Sequence, residues 1–222
     1  MELAPNDPLP MSLAAWWHGL RGAVHLAPGC AEEKRKARAL AARAATLNSG
    51  DAATEALLAA GCALANDLTL AAIHVERALA IDGGSGWAWG RGGLVSLYQG
   101  NSMDAMERLR IGRALAPGDL MNSYFSAGIA TANLHEGCYP DAIRWFTRAL
   151  AENPKAVWMN HLLASAYALA GRKEDARRSL LKWMRVRPAT TVADVRSGLP
   201  FPAALLDRIA EGLESAGMHH QP

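Results

Sequence analysis

The stretch IDGGSGWAWGRGG, residues 81–93, has six glycines in thirteen positions. Bare backbone of this kind can cradle phosphate, so nucleotide binding is the first chemistry to test. A phosphate-binding P-loop requires Gly-x-x-x-x-Gly-Lys-Ser/Thr: N–H groups wrap the phosphates, the Lys adds charge and the hydroxyl holds magnesium. The stretch contains no Lys. The dinucleotide fingerprint Gly-x-Gly-x-x-Gly fails at Trp89 when started from Gly84 and at Val95 when started from Gly90. Neither motif finds the β-branched strand run that should precede it. His18 and His25 are seven apart and could share a helix face, but metal sites use closer pairs with further ligands, and none lies nearby. His219 and His220 sit in the C-terminal tail. No Cys–His or Ser–His–Asp arrangement has a recognisable local motif, and no paired carboxylates occur in a Gly-rich setting. The expectation is a non-enzymatic chain with no catalytic residues, metal or cofactor.

Composition narrows the rest. Half of the 222 residues are hydrophobic, Ala dominates, and Val and Ile are few, which favours helix over strand. A net charge of +2 gives no strong argument for nucleic acid or an acidic membrane. Three widely spaced cysteines, Cys30, Cys62 and Cys138, form no C-x-x-C pair, so free thiols in a reduced, cytoplasmic setting are expected. The opening MELAPNDPLP is acidic and proline-rich, unlike a signal peptide. No apolar run approaches the ~18 residues of a membrane span.

The elements that would carry any site are set by a period. Ala37, Ala71, Ala105, Ala142 and Ala176 are spaced by 34, 34, 37 and 34 residues. Seven residues beyond each lie Ala44, Ala78, Gly112, Ala149 and Trp183, and five further come Ser49, Gly83, Pro117, Pro154 and Pro188. Small residues at fixed places, followed by helix breakers, describe paired helices that cross closely and cannot bury their apolar faces alone.

This period is the tetratricopeptide (TPR) signature, and the chain resembles that family over roughly residues 11–190. WMNHLLASAYALAGRKEDARRSLLKWMRVRP matches the family pattern at Leu163, Ala164, Tyr167, Gly171, Ala176, Leu180 and Pro188, departing at Trp183. SYFSAGIATANLHEGCYPDAIRWFTRALAENP matches at Ile129, Ala130, Gly137, Tyr139, Ala142, Phe146, Ala149 and Pro154, lacking the aromatic at Asn133. In the glycine stretch Trp89, Gly92 and Gly93 fall on the first family positions. Gly83 and Gly84 are then expected to cap one helix. Gly90, Gly92 and Gly93 lie inside the next, at about 1 kcal/mol each against Ala, which marks the least stable repeat. The order of elements also resembles the repeat half of bacterial class III adenylate or guanylate cyclases and winged-helix regulators with TPR tails. Repeats begin by about residue 11, which leaves no room for a cyclase or DNA-binding domain; the resemblance implies a regulatory or interaction module.

The expected fold is all-α: a right-handed TPR superhelix, an α-solenoid of about four and a half helix-turn-helix repeats. Its clearest units are 52–85, 86–119, 123–156 and 157–190. Residues 1–10 would form a flexible N-terminal segment, 191–217 a C-terminal cap and 218–222 a tail. Within the cap, residues 202–217 place Leu205, Ile209 and Leu213 on one face, with Leu206 and Ala210 beside them, suiting a helix that covers the last repeat. The 37-residue step adds three residues near GDLMN.

The resemblance implies a concave groove lined by each first helix. The groove positions are Trp87, Leu94, Leu97 and Tyr98; Tyr124, Thr131, Leu134 and His135; and Trp158, His161, Ser165 and Leu169. The first full repeat supplies Ala53, Ala56, Ala60, Ala63 and Leu64. The middle and C-terminal groove is thus aromatic and almost uncharged, fit for an apolar or aromatic-anchored peptide or helix, or for the chain's own ends. It lacks the Lys and Asn cluster that clamps a terminal carboxylate in some family members, so no such clamp is expected. Basic stretches at 32–43 and 172–187, the latter with Arg178, Lys182 and Arg185 on one face, fall on second helices. They read as a solvated convex surface with pairs such as Glu174–Arg178, and as a nucleic-acid stripe in the alternative. The expected partner is a protein or peptide, with nucleic acid disfavoured, no membrane, and self-association open.

Overall fold

The structure, a computed structural model, describes residues 7–23, 29–47 and 50–218. Ser49, His25, His219 and His220 lie outside the described residues. Among the described residues the chain forms helices and no strands. Five antiparallel pairs come first: α1 (Pro8–Ala23) with α2 (Cys30–Ala45), α3 (Ala52–Leu64) with α4 (Leu68–Ile81), α5 (Gly86–Tyr98) with α6 (Ser102–Leu115), α7 (Asn122–His135) with α8 (Tyr139–Glu152), and α9 (Met159–Leu169) with α10 (Lys173–Met184). Two further helices follow, α11 (Val192–Gly198) and α12 (Ala203–Ser215). The first helix of each pair packs against its own partner and the next first helix, giving an α-solenoid whose concave side is built by α1, α3, α5, α7 and α9. No helix among the described residues is long and apolar enough to cross a membrane.

The period has a direct physical meaning. Ala37, Ala71, Ala105, Ala142 and Ala176 are all fully buried, as are Ala44, Ala78 and Ala149. Each sits where two backbones cross, and any larger side chain would force them apart. The turns between paired helices repeat as well. Asn66, Gly100, Gly137 and Gly171 adopt the left-handed conformation, with φ of 71°, 89°, 77° and 75°. Behind each, an N–H reaches back to a helix carbonyl, as from Cys138 to Asn133 (2.9 Å) and from Arg172 to Tyr167 (2.8 Å). This is the reversal that ends a helix without orphaned carbonyls. Asp51, Asp67 and Ser85 cap the starts of α3, α4 and α5 through the N–H groups of Thr54, Leu70 and Ala88.

Several expectations need correction. Helix α1 starts at Pro8, so residues 8–10 are helical rather than flexible; a proline is well placed in a first turn, where its missing N–H has no partner to lose. Gly83 and Gly84 do not cap α4: Asp82 does, and neither glycine has positive φ. Helix α11 was not foreseen. It is held by a capping box in which Thr191 and Asp194 exchange hydrogen bonds, a motif readable in the sequence. Arg178 pairs with Asp175 rather than with Glu174. Arg172 joins the same carboxylate, and Glu32 neutralises Arg35 and Lys36, so the convex basic stretches are partly compensated. Met218, assigned to the tail, is buried.

The glycines inside α5 are where other elements touch it. A Cβ at Gly90 would overlap the ring of Phe125, and one at Gly93 would lie 2.6 Å from Leu109. Helical Gly→Ala usually stabilises by up to ~1 kcal/mol. Here Gly90→Ala should instead destabilise by about 1–3 kcal/mol, because Phe125 is fully buried and cannot withdraw. Thermal melts of the two proteins check this; an equal or raised midpoint for the variant would contradict the packing.

Candidate functional site: the concave groove

The concave face is not empty. After α10 the chain turns back across it. Lys34 of α2 donates to the carbonyl of Ser197 at 2.8 Å, tying the far end of the molecule to the first repeat. Leu199 and Pro200 are buried, and the ring of Phe201 lies tilted against that of Tyr98, with centres 5.7 Å apart. Helix α12 then lies along α9 and reaches α7. Leu205, Ile209, Ala210 and Leu213 are all buried, and Leu206 packs against the core. The amphipathic face is the one expected, but it docks on the concave helices instead of extending the stack.

Two contacts fix that choice. Gly212 crosses α9 at Ser165 so closely that a Cβ would lie 2.7 Å from backbone atoms of Ser165. Arg208 donates to the carbonyls of Leu134 (3.3 Å) and His135 (2.5 Å), which satisfies the last turn of α7 and places a cation at its negative end. We call residues 191–218 the strap.

The strap splits the expected groove residues into two groups. His161 and Ser165 are fully buried beneath or beside it. The side chain of His135 is held by Ser102 at 2.8 Å. His161 and Ser165 are corrections: with the strap docked they face the chain's own interior, not a partner, whereas His135 stays partly exposed. Leu94, Tyr98, Tyr124, Thr131 and Trp158 instead line a partly open cavity in the half of the groove that the strap leaves. Trp87 stands behind its wall, edge-on to Trp16 at 6.3 Å and donating through Nε1 to Asp119 at 2.7 Å. The rings of Tyr124 and Trp158 pack in a tilted arrangement, with centres 5.5 Å apart. Leu199 and Phe201 of the strap and Trp16 and Leu20 of α1 complete the lining.

Sequence reasoning missed Arg91. It also lines the cavity and is only 3% exposed. Its guanidinium carbon lies 4.6 Å from the ring centre of Trp16 and 5.3 Å from that of Trp87. Burial pushes its pKa down to about 10, so it stays charged at neutral pH. The same burial, opposed weakly by Arg91, lifts the Tyr98 phenol to about 12. A signal for Arg91 was present: α3, α5, α7 and α9 carry just two charged residues, Glu55 and Arg91. Glu55 pairs with the buried His74 at 2.6 Å.

No protein-family model matches the sequence, and no curated protein matches it. Among solved structures, a chain of the Cut9–Hcn1 hetero-tetramer of the APC/C superposes with a TM-score of 0.64 at 16% identity, over 82% of this chain and 34% of that one. This chain therefore spans about a third of that protein. PilW, described as a type IV pilus biogenesis factor, gives 0.64 at 16% identity over 95% of this chain and 90% of its own. A TPR protein of Thermus thermophilus gives 0.57 at 18% identity over 90% and 99%. At these identities the likeness concerns the fold, which is that of a TPR solenoid.

His161 makes the packing beneath the strap sensitive to acid. Its ring lies 5.1 Å from that of Trp183, its Nδ1 donates to the Trp158 carbonyl, and Nε2 has no partner. Burial pushes its pKa down to about 4 from an ordinary 6.5. The unfolded chain therefore binds the proton more readily than the folded one. Stability is full above pH 6.5 and is lost as pH falls from there toward about 4, by on the order of 3 kcal/mol. Denaturant melts at pH 7 and pH 4.5 should show a larger loss for the wild type than for His161→Leu; equal losses would place His161 in a solvated position.

Proposed function

We propose that the chain is a non-catalytic interaction module, a scaffold or regulatory adaptor, that binds a protein or peptide partner through the aromatic-lined half of its concave groove. One observation carries the reading. The other half already holds an apolar segment, Leu199–Phe201 followed by α12, in the way a groove holds a peptide. The open half offers the same kind of surface, with Tyr124 and Trp158 as rigid rings of the type that dominate binding energy. Its walls are fixed by buried repeat positions, so little ordering entropy opposes association.

TPR-fold neighbours that work in assemblies support this reading: Cut9 is seen in a hetero-tetramer with Hcn1, and PilW is a biogenesis factor. The resemblance to cyclase-borne and regulator-borne repeats points the same way, towards control of a partner rather than chemistry on a substrate. Cys30, Cys62 and Cys138 are free, which fits a reducing, cytoplasmic setting. Burial raises the pKa of the Cys62 thiol to about 12, which makes it inert as a nucleophile.

The test is capture from native extract by the wild type and by a Leu94→Ala, Tyr124→Ala double variant, with matched circular dichroism spectra. A partner held by the wild type should be lost by at least about tenfold with the variant, as expected for truncating anchor side chains. An identical captured set at identical yield would remove the groove as the binding surface.

A further inference from the structure

Arg91 poses a problem that the partner reading leaves unsolved. A buried cation without a counter-ion costs several kcal/mol, and arginine cannot escape by losing its proton. Arg91 forms no ion pair with any described residue. Trp16 and Trp87 cover the faces of its guanidinium, but faces accept no in-plane hydrogen bonds. Nε and Nη2 are both buried and both without an acceptor among the described residues. These two groups lie on one edge of the guanidinium. That edge is the fork that holds a carboxylate through two parallel N–H···O bonds.

The surroundings define what would accept those bonds. The cavity that Arg91 lines is walled by Leu20, Leu94, Tyr124 and Trp158 and roofed by Phe201. Among the described residues no second cation lines it, so one negative charge is matched and a doubly charged phosphate is not. The walls offer apolar and aromatic surface for the rest of the ligand. Arg91 is buried in the cavity and Phe201 roofs it, so the space beside the guanidinium takes a small molecule, while the mouth of the cavity remains for the partner surface.

We propose that this cavity is a binding site for a small organic carboxylate with an apolar or aromatic body. The carboxylate accepts from Nε and Nη2 of Arg91, and the body lies between Leu94, Tyr124 and Trp158. The inference rests on the reading of the concave face as a binding face and adds the chemistry of one occupant. A single desolvated arginine, Arg91, stands in the groove. Because the strap roofs the cavity, an occupant also packs against the element that covers the groove.

The experiment titrates the full chain with 4-phenylbutyrate and with its uncharged counterpart 4-phenylbutyramide. It follows calorimetry and the fluorescence of the tryptophans around the cavity. The wild type should bind the carboxylate at least about tenfold more tightly than the amide, the discrimination expected of a charge-assisted pair. Arg91→Met should melt no lower than the wild type without ligand, since it removes an unpaired buried charge, and should bind both compounds alike. Arg91→Lys, which keeps the charge but loses the fork, should fall between. The proposal is overturned if the wild type does not distinguish the two compounds, if neither binds at millimolar concentration, or if Arg91→Met keeps the preference. An identical captured set for the wild type and the Leu94→Ala, Tyr124→Ala variant, with the carboxylate preference of the wild type intact, would sink the partner reading alone. The reverse result would sink this one alone.

Discussion

The structure depends on helices crossing where there is no room for more than a methyl group. Ala71, Ala105, Ala142 and Ala176, all fully buried, hold that constraint at the same point of four successive pairs. Once backbones meet there, the length of each unit, the left-handed turn between its helices and the direction of the stack are settled. Large side chains such as Phe125, Phe146 and Leu109 then fill the space between crossings. Gly90 and Gly112 extend the rule in α5 and α6, where a Cβ on either would run into the neighbouring helix. Trp183 departs from the rule in α10. No further pair stacks there among the described residues, and the ring covers His161 instead.

A stack of this kind leaves an apolar concave face that water would penalise. The strap answers part of that penalty. Leu205, Ile209 and Leu213 bury fully against α9 and α7, each contributing about 1.5–3 kcal/mol of transfer free energy. Lys34 and Arg208 pin it to α2 and to the end of α7 through hydrogen bonds to backbone carbonyls. What remains is a cavity with aromatic walls and one desolvated cation. The fold thus closes half of its binding face with its own chain and keeps the other half preorganised.

The sequence alone made some of this legible, for reasons that differ between elements. The repeat was readable because close crossings select residue types strictly, so alanines recur in register. The strap's buried face was readable because an amphipathic pattern reports which side of a helix is covered. It does not report by what. The docking of α12 on α9 is decided by Gly212 against Ser165 and by Arg208 at the end of α7, contacts 47 and 73 residues apart in the chain. Leu94, Tyr98, Tyr124, Thr131 and Trp158, which the family resemblance put on the concave side, line one cavity there, whereas the burial of His161 and Ser165 followed from that docking. Arg91 was passed over because it sat among glycines that drew attention to phosphate chemistry, although it was the sole charge on its helix.

The central claim is that the strap closes half of the groove in the resting molecule. Hydrogen–deuterium exchange across the full chain tests it most directly. The account predicts that amides of residues 203–213 exchange as slowly as those of α9, and that Gly212→Leu speeds exchange in α12 while leaving α3 to α6 protected. Rapid exchange of 203–213 in the wild type, with the repeats still protected, would mean that the concave face stands open and the cavity around Arg91 has no roof.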